Sequence, residues 1–187
     1  RTELPGATSD SRAAMLFRAT PMGIAALDTL KANVLVNNRT GDNPGAGQAE
    51  AGVAADSNNM LIAWNDGQGF DEVPTNIQGV GYSTDGGKSF TDFGVPPRGT
   101  NWVWVSDPVV TVDEKTHTFY YCALFDSAGG TNGVGVVPPT FSGSSIVWGT
   151  PRATRIVNSG TTILDKQWIC ADSSNGVLHV IYTNFNN

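Results

Sequence analysis

The chain has 187 residues, 40% of them hydrophobic and 15% charged, with 22 glycines and 10 prolines, which is a turn-rich globular composition with enough length for a sizeable core. Eleven basic against seventeen acidic side chains give a net charge of −6 and a pI near 4.7, a balance that argues against nucleic acid and anionic membrane surfaces as partners. No apolar run of about 18 residues is present, so no membrane span is expected.

The N-terminus lacks the charged-then-apolar layout of a signal peptide, and a start at Arg1 rather than Met fits a chain that is already processed or excised. Residues 1–46 form an N-terminal segment. Within it, Ile24, Leu27 and Leu30 follow Pro21 at a helical spacing, which predicts a short helix over 22–30. Ala32 to Asn37 is read as a strand, with the potential to staple the first repeat to the last, and Asn38 to Gly45 as a loop. Asn38-Arg39-Thr40 matches the glycosylation sequon, a three-residue pattern common by chance.

From residue 47 the chain repeats itself. The runs 51–56, 108–113 and 167–172 each end in an aspartate, then a polar turn, then a second apolar run at 60–64, 118–125 and 177–182. The closing residues Asp56, Asp113 and Asp172 are spaced by 57 and 59 positions, and each is expected to cap its own turn through backbone hydrogen bonds. Gly79-Val80-Gly81 recurs as Gly133-Val134-Gly135. Four short strands in a unit of this length are the signature of propeller blades, so the chain is divided into a blade at 47–104, a second at 105–162 and the first half of a third at 163–187. The second strand of each unit is near-continuously apolar, as expected of a sheet covered on both faces. The expected fold is therefore all-β, with about two and a half blades of four antiparallel strands out of a ring of six or seven. Completion by a further segment or another copy follows, because an open blade face exposes a large apolar surface.

Ser83-Thr84-Asp85-Gly86-Gly87-Lys88-Ser89-Phe90 is the most specific motif. Its aspartate can accept from backbone N–H groups one and two residues on, its glycines permit positive φ, and Phe90 can fold back onto the sheet. The second unit has lost this pattern: Phe141 stands where Asp85 would fall, and Pro138-Pro139 interrupts the preceding strand. Cys122 and Cys170 both lie in apolar strand-like runs; free buried thiols and a bridge between neighbouring sheets are the two readings. His117, in a turn, and His179, in a strand, are read as structural, and no Gly-x-Ser-x-Gly elbow or phosphate-binding loop is present.

The motif at 83–90 resembles the Asp box, or BNR repeat, of sialidase-like β-propellers. Residues 34–187 are similar to the first half of a bacterial secreted sialidase-family protein through Val34 to Asn38, Gln48-Ala49-Glu50, Asn65-Asp66, the box itself, Ser106-Asp107-Pro108, Thr118 to Tyr121 and Asp165 to Ile169. The resemblance implies a secreted protein. It also implies that Ser83, Asp85, Gly87 and Phe90 are structural and lie on the face away from the active site. Ligands of such propellers bind where the innermost strands begin. Six residues before each repeat aspartate stand Glu50, Asp107 and Lys166, with Asp165 adjacent, and Asp66 on a neighbouring loop; these are the candidate ligand-binding residues at the channel mouth. Asp71, Glu72, Arg98, Trp102, Trp104 and Asp126 join them from loops expected on the same face. An acidic ring with aromatics suits a sugar, a basic group or a cation, with Glu50, Asp107 and Asp165 as the calcium candidate and no other cofactor expected. The reading that each charge only caps its strand stands beside this one.

A sialidase would bind a sugar carboxylate with three arginines and carry a Phe/Tyr-Arg-Ile-Pro motif. Phe17-Arg18-Ala19-Thr20-Pro21 has an extra residue, and Arg39, Arg98, Arg152 and Arg155 stand in no recognisable triad context. The expectation is a glycan-binding or structural and adhesive extracellular module without a complete catalytic set. The alternative is part of an exo-sialidase-type glycoside hydrolase whose remaining residues lie elsewhere.

Overall fold

The computed structural model describes residues 33–72 and 75–186. They fold into antiparallel β-structure with one short 3-10 helix at Gly67–Asp71. Strands β1 (Gln48–Asp56), β2 (Asn59–Asp66), β3 (Gln78–Ser83) and β4 (Thr91–Gly94) form a four-stranded meander. In the second sheet, β5 (Trp102–Asp113), β6 (Thr118–Ser127) and β7 (Thr131–Val137) are followed by a hairpin, β8 (Pro139–Ser142) and β9 (Ser145–Trp148), before β10 (Arg152–Asn158) completes the order β10-β7-β6-β5. A last hairpin pairs β11 (Thr162–Asp172) with β12 (Val177–Asn186). The fold is all-β and antiparallel, as the repeat predicts. Among the described residues no helix is long and apolar enough to cross a membrane.

The first strands of the three units, β1, β5 and β11, pack beside one another in chain order. The middle sheet is covered on both faces, and β6 shows why its sequence is unbroken apolar. Phe119, Tyr121, Ala123 and Phe125 enter one core cluster with Leu61, Val80 and Trp104. The alternate residues Cys122 and Leu124, with Tyr120 packed against them, enter a second cluster with Leu164 and Ile169 of β11. Successive strand side chains point to opposite faces, so two buried faces require a continuous run. Trp102 stacks on Phe125 with ring centroids 3.9 Å apart, and Trp104 meets Tyr121 edge-on at 5.3 Å. The Gly-Val-Gly triplets serve this packing: a Cβ on Gly79 would come within 2.3 Å of the Trp64 indole, and one on Gly135 within 2.7 Å of Trp104.

Four expectations are corrected. Residues 33–37 form no strand. Val36 lies against Gly81, Asn37 Nδ2 donates to Gln48 Oε1, and the Asn38 N–H donates to Asp92 Oδ2 at 2.7 Å, so side chains rather than a neighbouring strand hold this segment. The missing box of the second unit is replaced by the β8–β9 hairpin, whose Phe141 and Ile146 pack over the first core cluster, Phe141 at 4.8 Å from Phe119. Cys122 and Cys170 are both free; Cys122 is buried, with its thiol pushed up to about 12 by that burial, but Cys170 is exposed because β11–β12 has only one covered face. His117, read as lacking a carboxylate, places Nδ1 2.5 Å from Asp56 Oδ2, joining the β5–β6 turn to the end of β1. The helix expected at 22–30 and the Phe17 to Pro21 stretch lie outside the described residues.

Candidate functional site

The three candidate positions occupy the same irregularity in each unit. Ala49 pairs with Asn65 and Gly52 with Ala63, so Glu50 and Ala51 oppose Trp64 alone. In the second sheet Asp107 and Pro108 oppose Ala123, and in the last hairpin Lys166 and Gln167 oppose Tyr182. Each is a β-bulge with two residues against one. The first residue of each has left-handed backbone: Glu50 at φ 55°, Asp107 at 57° and Lys166 at 47°. Glycine is the usual occupant of such a position, because a Cβ there costs about 1–2 kcal/mol. Three charged residues accepting that strain at one register point to a use for their side chains.

Those side chains converge. Lys166 Nζ lies 3.1 Å from Asp107 Oδ2 and 3.4 Å from Glu50 Oε1. Asn65 joins the first two bulges: its Nδ2 donates to Glu50 Oε2 at 2.7 Å, while its Oδ1 accepts from the Asp107 N–H at 3.0 Å and from Gln78 Nε2 at 2.8 Å. Buried Gln78 in turn accepts from the Tyr121 hydroxyl at 2.8 Å, which anchors the site to the core. Gln167 Nε2 donates to the Asp107 carbonyl. Partial burial opposes charge on Asp107, but contact with Glu50 and the Lys166 ammonium outweighs it and holds the carboxyl below its usual value. Asp107 and then Glu50 raise Lys166.

A cavity of 580 Å³ opens on this cluster, lined by Glu50, Asn65, Asp66, Phe70, Ser106 and Asp107 among others. Asp66 sits at its edge, capping the 3-10 helix by accepting from the Gln68 N–H at 3.0 Å, and that helix presents Phe70, 67% exposed. Asp165 does not join. It lines a separate 350 Å³ cavity with Asp126, and its carboxylate accepts from the Lys166 N–H. Glu50, Asp107 and Asp165 therefore do not form a calcium site: the Lys166 ammonium occupies the space between the first two, and among the described residues no group of three or more His, Cys, Asp or Glu side chains is placed to hold a metal. Trp104, expected on a loop, is fully buried in the core, and Trp102 is half-buried against Phe125. Arg98, Arg152 and Arg155 are exposed and line no part of the cavity, and Arg39 pairs with Asp42 at 3.3 Å. Asn65, Gln78, Gln167 and Phe70 were not singled out by the sequence as site residues. A signal existed for Asn65, which directly precedes the candidate Asp66.

The motif at 83–90 lies at the other end of the first sheet, where Gly86 N–H donates to the Asn58 carbonyl in the β1–β2 turn. Its bonds run further than an Asx turn: Asp85 Oδ1 accepts from the N–H groups of Lys88 and Ser89, three and four residues on, and Oδ2 from the Ser89 hydroxyl at 2.6 Å. Ser83 Oγ accepts from the Asp85 and Gly87 N–H groups, and Gly86 and Gly87 have φ of 73° and 80°. Phe90 is half-buried and, with Met60, packs over Gly87. Asp113 and Asp172 cap their turns through the N–H groups of Lys115 and Ser174. Asp56 meets instead the Ser57 hydroxyl and His117.

The Ser89 hydroxyl, then the Ser89 N–H and Ser83, hold the Asp85 carboxyl well below its usual range. A depressed carboxylate contributes stability above its unfolded value of 3.8 and loses it only as pH falls through the folded value. Asp85→Ala is expected to lower the melting temperature, with the gap to the parent protein constant from pH 7 to pH 5 and closing only in strong acid. A gap that closes near pH 6 would show that another group is responsible.

Comparison with protein families and with curated proteins finds no match to this chain.

Proposed function

We propose that the three sheets are consecutive blades of a sialidase-like β-propeller and that the chain is an extracellular glycan-binding module, with its site at the mouth formed by the bulges of β1, β5 and β11. The observation that carries this reading is the cavity in which exposed Phe70 faces a fixed set of Glu50, Asn65, Asp66 and Asp107. An aromatic face for the apolar side of a sugar ring, with convergent polar groups for its hydroxyls, is what saccharide recognition requires. The strained bulges support it, since three charged side chains accept left-handed backbone at one register and converge on one cluster. The extracellular setting follows from the family resemblance alone.

Binding is favoured over hydrolysis by the carboxylates. Glu50 and Asp107 share one ammonium, 3.4 and 3.1 Å from them, so neither is held free as the acid or the nucleophile that glycoside hydrolysis uses. Exposed Ile163, Trp168, Ile181 and Phe185 on the free face of β11–β12 support completion of the ring by a further segment or another copy.

Phe70→Ala is the direct test, because the side chain is exposed and the fold does not depend on it. By isothermal titration against a set of neutral oligosaccharides, the variant is expected to bind about tenfold more weakly, equivalent to about 1.4 kcal/mol. Unchanged affinity would remove the cavity from consideration, and turnover of a fluorogenic sialoside would favour a hydrolase.

A further inference from the structure

The charges around the cavity narrow the ligand, an inference that rests on the saccharide-binding reading. Glu50, Asp66 and Asp107 line it, and among the described residues the one cation in contact with them, Lys166, is already engaged by Glu50 and Asp107. Among the described residues no arginine lines the cavity. A sugar carboxylate entering here would meet three carboxylates and find no free guanidinium to pair with.

On the other side of the same cluster, a second cavity of 390 Å³ is lined by Glu50, Asp107, Lys166 and Gln167. Gln167 is 2% exposed, and while its Nε2 is used on the Asp107 carbonyl its Oε1 finds no donor among the described residues. A buried amide oxygen without a donor is costly, and it makes this flank short of hydrogen-bond donors as well as of positive charge. Glu50, Asp66 and Asp107 already accept from Asn65, Gln68 and Lys166, but as carboxylates they offer further lone pairs and no donor.

We infer that the site selects saccharides that carry no carboxylate and that supply donors, with amine-bearing sugars bound most tightly. Protonated glucosamine meets both conditions, because its ammonium adds three donors and a charge of the sign that the carboxylates attract. Neutral sugars meet the first condition through their hydroxyls, and sialosides fail the charge condition.

The experiment is a calorimetric titration of the whole protein at pH 6 with four probes: glucosamine disaccharide, lactose, sialyllactose, and putrescine as an amine without a sugar. The expected order is glucosamine disaccharide, then lactose, then sialyllactose, with at least about tenfold between first and last at low salt and a smaller gap in 0.5 M salt as screening weakens the charge effect. Asp107→Asn and Glu50→Gln should each narrow the gap. Sialyllactose bound as tightly as the amino sugar overturns the charge inference while leaving saccharide binding intact. Putrescine bound as tightly as the amino sugar overturns the saccharide part and leaves a cation site. No heat from any sugar, with an unchanged melting transition, overturns both this inference and the reading it rests on.

Discussion

Trp104→Ala should destabilise the protein by about 3–5 kcal/mol, the range for truncating a large buried aromatic. Trp104 has no exposed surface and lies between the first two sheets. Its indole meets Tyr121, Trp102 and Phe125, and its Nε1–H reaches the carbonyls of Pro96 at 3.2 Å and Pro97 at 3.3 Å. Its own backbone joins the sheets, with the N–H donating to Asn76 Oδ1 and the carbonyl accepting from the Ile77 N–H. The cavity left by alanine cannot collapse easily, because the wall against the indole is Gly135, which has no side chain to move inward. At 2–4 °C per kcal/mol for a domain of this size, the melting temperature should fall by about 10 °C. Phenylalanine at this position should recover more than half of the loss, since it refills most of the volume but leaves the two proline carbonyls without their donor. A fall of less than 3 °C for the alanine variant would mean that the first two sheets are not held together through this residue.

Trp104 also shows where sequence reading stops. It stands just before Ser106-Asp107-Pro108, and a proline there reads as the beginning of a strand. The bulge instead lies inside a twelve-residue strand, so the tryptophans before it are ladder residues of β5 paired with Ser127 and Phe125. The bulges themselves are invisible in the spacing, because an extra residue inserted at the same place in every repeat leaves the period unchanged. For the same reason the positions of Glu50, Asp107 and Lys166 were legible: each is six residues from an aspartate that fixes the hairpin turn, and equal distance from equal turns means equal height on adjacent strands. Asn65 and Gln78 depend on cross-strand register, and β2 and β3 are separated by a loop whose length gives no register. Phe70 was hidden by the same loop. Cys170 misled because Trp168 to Ala171 is as apolar as Tyr121 to Leu124. The first run, however, belongs to a hairpin in which only Leu164, Gln167 and Ile169 of β11 are buried.

Replacing Lys166 with methionine should lower the melting temperature at pH 7, with the thermal difference shrinking as the pH falls. In the parent protein, Asp107 is held below its usual value against the opposing effect of burial, so its contribution is present above the unfolded carboxylate value and is lost as pH drops through the folded one. Removing the ammonium leaves Glu50 and Asp107, on neighbouring bulges, without the cation that both approach. Asp107 then keeps the opposing effect of burial and loses the hydrogen bond and charge of Lys166 that lower it, so its folded titration moves upward. The partly buried, uncompensated charge then costs stability at neutral pH, and that cost disappears once Asp107 is protonated. Acid therefore weakens the parent and relieves the variant, and the two melting curves must approach each other. Lys166→Arg keeps the charge and the left-handed backbone strain and should track the parent across the same pH range. A methionine variant whose deficit stays constant from pH 7 to pH 4 would assign the role of Lys166 to packing of its hydrocarbon stem. In that case the contact of its ammonium with Glu50 and Asp107 would have no part in shaping the site.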